Sequence, residues 1–359
     1  MKFYKTIDFY ITKKFLGTFF YAIALILSIA IVFDISENLD EFLSKDIPGH
    51  TIITDYYLNF IPYFANLFSP LFTFIAVIYF TSKMAYNTEI IAILSSGVSY
   101  PRLMRPYLVS AFILASISFV LGNYVIPPAN KTLNEFREKY IENAQFVTEM
   151  NIHRQIEPNV YVYVRTFNQN NTGNDFTLEK FEGSKLVEKL SAGNIRWDKE
   201  TDKWIINNYW ERIIKDDHEE IVKGYRIDTT LNMSPNDFKS TKNEMESYTT
   251  PALKEEIKKM KMRGMETNEW EIEKHRRIAG PFSAFILTII GAGLASRKIK
   301  GGLGLHLGLG LAFSFSYILF MQVSTVFAVS GNTPPLLAVW IPNILYSIIA
   351  LFVFRWAAR

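Results

Sequence analysis

Cysteine is absent from the 359 residues and histidine occurs only five times. Without thiols the chain forms no disulfide and holds no cysteine-ligated metal, although that absence does not decide its compartment. No HExxH or histidine-rich cluster accompanies its acids, which argues against metal-dependent hydrolysis. Also absent is GxxxxGK[ST], the turn whose backbone amides and lysine cradle nucleotide phosphates. The glycine-rich stretch GAGLASRKIKGGLGLHLGLG (291–310) lacks that spacing, so any ATP used is hydrolysed by another chain. Charges are missing from the centres of the long apolar runs, which weighs against proton- or sodium-coupled transport. Pro62, Asn66 and Pro70 in the second run leave broken-helix geometry open there.

What is present falls into two populations. Hydrophobic residues make up 49% and aromatics 15%, and mean hydropathy is positive although 20% of residues are charged. A helix needs about 20 apolar residues to cross a bilayer core. Candidate spans are 15–33, 58–81, 107–126, 278–295, 303–329 and 336–354, with a long polar insert, roughly 127–275, between the third and fourth. The expected fold is an α+β integral membrane protein of six transmembrane helices, three before and three after an external all-β domain. Its divisions are 1–129, 130–250 and 251–359.

Lysine and arginine collect on one side of this plan. Lys2, Lys5, Lys13 and Lys14 precede the first span; Lys83, Arg102 and Arg105 follow the second; Arg297, Lys298 and Lys300 follow the fourth; Arg355 and Arg359 follow the sixth. The opposite loops hold only Lys45, and GNTPPL (331–336) holds no base. Both termini are expected in the cytoplasm and the insert outside. The first apolar run is long for a signal core and has no Ala-x-Ala site behind it, so it reads as a retained span.

Inside the insert the period changes from helical to alternating. VYVYVRTF (160–167) puts Val160, Val162 and Val164 on one face and Tyr161, Tyr163 and Phe167 on the other. NIRWDKETDKWIINNYWERII (194–214) reads as two strands joined at Asp198–Asp202, and FTLEKF and VKGYRIDTTL as further strands. NKTLNEFREKYIENAQ (130–145) is expected to prolong the third span outward. TTPALKEEIKKMKMRG (249–264) is expected to form a helix with Thr250 as N-cap, Pro251 at the first position and Gly264 at the stop.

Four constellations are candidates for function. Gly291 with Ala295 and Gly304 with Gly308 fit the small-xxx-small spacing that lets membrane helices approach closely. They serve either packing within the chain or a seam with a partner. His306 lies near the basic side, where an interfacial histidine against lipid headgroups is the simplest reading. Asp34, Glu37, Asp40 and Glu41 read as a solvated acidic loop; as paired carboxylates they are the one feature a lipid-modifying enzyme could use.

The fourth constellation is EIIAILSSGVSYPRLMRP (89–106), between the second and third spans. Helical spacing from an N-cap at Thr88 groups Ile90, Ile93 and Leu94 on one face, with Gly97 as the stop and Pro101 barring continuation. Such a helix could lie in the membrane interface, with Glu89 a favourable charge at its positive end.

In order and spacing, EIIAILSSGVSYPRLMRP, LNMSPNDF (231–238), EKHRRIAGPF (273–282) and GNTPPLLAVWIPN (331–343) are similar to the permease family of the lipopolysaccharide export machine, the LptF/LptG (YjgP/YjgQ) type, and the resemblance covers essentially the whole chain. It implies a noncatalytic permease of an ABC transporter in the inner membrane of a Gram-negative envelope. The implied partners are a homologous sister permease, a cytosolic ABC ATPase dimer, a periplasmic jellyroll bridge protein and lipopolysaccharide, with no nucleic acid. The chain itself is expected to bind no cofactor, ATP and magnesium being used by the ATPase. The resemblance further implies a coupling helix near 83–106, with Glu89 meeting a base or polar group of the ATPase and Ile90, Ile93, Leu94 and Gly97 completing the contact. Proteobacterial members are thought to meet lipid A phosphates with bases near the outer end of the first span. Here that region is acidic, so no lipid-binding residue carries over. The alternatives are a permease of the lipoprotein-release or macrolide-export kind, with one span before its external domain, and a membrane-bound lipid enzyme.

Overall fold

A computed structural model describes residues 6–141, 150–168, 170–215, 218–238, 244–262, 265–297 and 302–358. Lys2, Lys5, Gly264, Lys298, Lys300 and Arg359 lie outside them. The chain separates into two compact units, one of 1–141, 245–253 and 268–359, the other of 142–244 and 254–267.

The first unit is helical: α1 Thr6–Ser44, α2 Gly49–Tyr86, α3 Glu89–Ser95 and α4 Tyr100–Tyr140 come before the strands. The later helices are α5 Thr250–Met262, of which only the first residues belong to this unit, α6 Asn268–Ala279, α7 Phe282–Ala295, α8 Gly302–Val329 and α9 Pro335–Ala357. Among the described residues, α1, α2, α4, α8 and α9 are long and apolar enough to cross a membrane, and α6 with α7 makes a sixth if the bent pair is one span. The bend is 53°, and it falls at Gly280–Pro281, where proline removes a donor and clashes with the preceding turn. A bend frees carbonyls that the hydrocarbon cannot solvate. Asn343 Nδ2 donates to Ala279 O at 3.0 Å and Asn343 Oδ1 accepts from Tyr317 OH at 2.8 Å, so the freed carbonyl is satisfied from α9.

The helices extend past the expected spans. Asp34, Glu37, Asp40 and Glu41 do not form a loop; they continue α1 as helix. Asp34 accepts hydrogen bonds from Tyr56 at 3.1 Å and Tyr57 at 3.0 Å, and Arg137 of α4 donates to the Tyr56 hydroxyl at 3.4 Å. Phe42 packs edge-on against Tyr56 and Phe136. An aromatic core under this end therefore keeps the acidic turns helical.

The second unit holds one six-stranded antiparallel sheet in the order β1 Met150–Glu157, β2 Val160–Phe167, β3 Thr172–Glu182, β4 Lys185–Asp198, β5 Lys203–Ile214 and β6 Glu219–Thr229. Each strand pairs with its neighbour in sequence, a meander. The β4–β5 turn falls at the expected place: Asp198 accepts from Thr201 Oγ1 at 2.8 Å, and Asp202 takes the left-handed φ of 51°. Val162, Val164, Phe176, Leu178, Leu190, Ala192 and Ile206 build the core from one face, closed by Met233 and Phe238. Trp204 is fully buried there and donates Nε1 to Met233 O at 2.9 Å.

Phe167 is a correction: it joins the core with Val162 and Val164 instead of sharing the face of Tyr163. Alternation breaks at Arg165 and its neighbour Asp175, which has φ 52°. An irregularity of this kind turns the following side chain to the other face. Gly173, opposite Phe167, makes room, because a Cβ there would stand 2.9 Å from Val164 and 3.0 Å from Ile195.

Candidate functional site

In the loop 87–104, Ile90, Ile93 and Leu94 share a face as their spacing implies, and the start of the helix is what departs from the sequence reading. Thr88 precedes α3 with φ 62°, unusual for a β-branched residue, and its hydroxyl donates to Asn87 O at 2.6 Å instead of capping the helix. Gly97 ends the turn at φ 85°, as expected of a glycine there. Ile90 is 1% exposed and belongs to a core containing Ile11, Phe15, Met84, Tyr100 and Leu103, against which Ile93 and Leu94 pack. Ile90 is therefore taken up by its own chain, while Ile93 and Leu94 are half-buried and keep part of their surface outward. Helical geometry turns the opposite face outward: Ile91, Ala92, Ser95 and Ser96 are exposed, Ile91 at 52%.

Glu89 is likewise engaged within the chain. It accepts a hydrogen bond from Tyr10 OH at 2.9 Å and lies 3.6 Å from Lys14 Nζ, which stacks over the Tyr10 ring at 4.3 Å. At the far end of the loop Arg102 forms a two-pronged pair with Asp8, both prongs 2.6 Å. Asp8 is 2% exposed. Planar guanidinium–carboxylate pairing of this kind fixes orientation as well as distance.

The glycine pairs part company. A Cβ on Gly291 would lie 3.1 Å from Phe74 and from Val77 of α2, and Ala295 is fully buried. Around Gly304 and Gly308 nothing stands within 4 Å of a Cβ, so that stripe is open, whereas Gly310, two residues on, abuts Ile78 at 2.7 Å. His306 does not reach headgroups: it is 5% exposed, with Nδ1 2.9 Å from Ser82 Oγ.

Sequence reading missed a network in EKHRRIAGPF. Glu273 and Arg277 are 8% and 6% exposed. Arg277 donates to Glu273 Oε1 at 2.8 Å, to Tyr248 O at 2.8 Å and to Met245 O at 3.2 Å. Arg276 binds Glu273 Oε2 and reaches Glu246 at 3.4 Å, while Asn130 of α4 donates to Glu246 Oε2 at 3.4 Å. Burial, with Glu273 nearby, holds the Glu246 carboxyl above its ordinary range, and the two arginines oppose that rise. Two acids against two bases leave the cluster near neutral. The ERR spacing of Glu273, Arg276 and Arg277, i with i+3 and i+4, was the available signal; the backbone carbonyls they hold were not readable.

In the sheet, the face opposite the core carries an open cleft of about 290 Å3, lined among others by Tyr163, Thr177, Ser191 and Trp210. No group of three or more histidines and carboxylates able to hold a metal occurs among the described residues.

No curated protein matches the chain. A family model for the lipopolysaccharide export system permease LptF/LptG matches residues 9–356. With that match spanning both the apolar helices and the inserted sheet, the chain belongs to the LptF/LptG family of lipopolysaccharide export permeases.

Proposed function

We propose that this chain is one permease of an ABC exporter that draws lipopolysaccharide out of the inner membrane and passes it through its β-domain to a periplasmic bridge of jellyroll type. The family match over 9–356 carries the reading. Three apolar helices before the sheet also speak against the lipoprotein-release type, which has one. Both termini and loop 87–104 are cytoplasmic in this reading, on the side where lysine and arginine collect. The loop docks on a cytosolic ATPase through the outward face of α3, Ile91, Ala92 and Ser95, while Ile90, Ile93 and Leu94 hold the helix to its own chain. The open Gly304–Gly308 stripe is the part of α8 offered to a sister permease. ATP and magnesium belong to the ATPase. Purification from native membranes tests this: a second permease of the family, an ABC ATPase and lipopolysaccharide should accompany the chain. Recovery of the chain alone, or with a different lipid, would contradict it.

A further inference from the structure

Both ion pairs of the coupling loop end on one short stretch of α1. Glu89, at the start of α3, reaches Tyr10 and Lys14; Arg102, beyond its end, reaches Asp8 across 94 positions of sequence. Between them Ile90, Ile93 and Leu94 pack into a core that includes Ile11 and Phe15 of the same helix. The same core holds Phe80, Met84 and Ala85 of α2, from which the backbone turns sharply at Thr88, φ 62°. That residue separates α3 from the helix that precedes it.

We infer that Asp8 and Arg102 are positioning residues that make loop 87–104 and the first turns of α1 one lever, so that a displacement delivered to α3 is passed to α1. The inference rests on the coupling role proposed for the loop. Its physical basis is geometry. A two-pronged pair with a nearly fully buried carboxylate resists both sliding and rotation, and removing the arginine strands the Asp8 charge in a poorly hydrated place. Glu89 adds attachments at Tyr10 and Lys14, the latter nearly two turns along α1 from Asp8, and two separated attachments suppress the rotation that a single one permits.

The test uses the complete transporter in proteoliposomes loaded with lipopolysaccharide, scored as lipid exported per ATP hydrolysed. Arg102→Ala should hydrolyse ATP within about twofold of the native rate and export at least tenfold less lipid per ATP, with Arg102→Lys recovering part of the loss. Native export per ATP by Arg102→Ala overturns the lever. A second measurement leaves the pair intact and holds even if that variant fails to insert. The chain has no cysteine of its own, so spin labels can be placed at the exposed positions Phe9 and Ser99, and at Ser99 and Tyr79. The Phe9–Ser99 distance should stay constant through the ATP cycle, whatever Ser99–Tyr79 does; a Phe9–Ser99 distance that changes overturns the proposal. Ile91→Asp separates the underlying reading: native export by that variant removes the docking role of α3 whatever the pair does.

Discussion

Trp204 concentrates the energetics of the β-domain at one residue. It is buried completely, lies edge-on to Phe167, Trp197 and Phe238, and satisfies the carbonyl of Met233. Truncation removes the apolar contact and leaves that carbonyl unpaired, so Trp204→Ala should destabilise the domain by about 3–5 kcal/mol. Limited proteolysis of the full-length protein in detergent should show β-domain cleavage at lower temperature, with the helical unit still protected; unchanged resistance would refute the assignment. The strand that carries it was legible in the sequence of 194–214, although its buried run Trp204, Ile205 and Ile206 does not alternate. The direction of Phe167 was not legible, because it depends on a left-handed Asp175 in the next strand. The partners of Glu89, Asp8 and Asp34 were equally hidden, since nothing in local spacing relates residues 79, 94 or 22 positions apart.

At the scale of elements, the small residues of α7 and α8 divide into two classes that sequence spacing treats alike. Gly291 and Gly310 are pressed against α2, while Gly304 and Gly308 face open space. Gly310→Leu should collide with Ile78 and cost about 1–3 kcal/mol of stability, seen as earlier thermal aggregation of the purified protein. Gly308→Leu should leave that transition in place and weaken recovery of the sister permease. Equal behaviour of the two variants would contradict the division. Periodicity identified the apolar helices, the β4–β5 hairpin and the helical extension of the third span, because each is a local pattern repeated over many residues. It missed β1, whose sequence MNIHRQIE mixes polar residues into both faces, and it ended α1 early because the aromatic support for the acidic turns comes from α2 and α4.

For the whole molecule, the orientation proposed from the asymmetry of lysine and arginine makes a direct prediction. Single cysteines at Asp175 and Asn332 should react with an impermeant thiol reagent applied from outside the inner membrane, and one at Ser99 should not. All three positions are exposed, so sidedness decides the result; labelling of Ser99→Cys in sealed cells would reverse the topology and detach the loop from a cytosolic ATPase. The central claim is that this chain moves lipopolysaccharide at the expense of ATP hydrolysed elsewhere. Its most direct test is transfer of lipopolysaccharide from proteoliposomes holding the purified complex to a soluble periplasmic acceptor. The account predicts transfer that requires ATP and stops when the ATPase is omitted. Transfer at the same rate without ATP, or ATP-driven transfer of another lipid with lipopolysaccharide left behind, would contradict it.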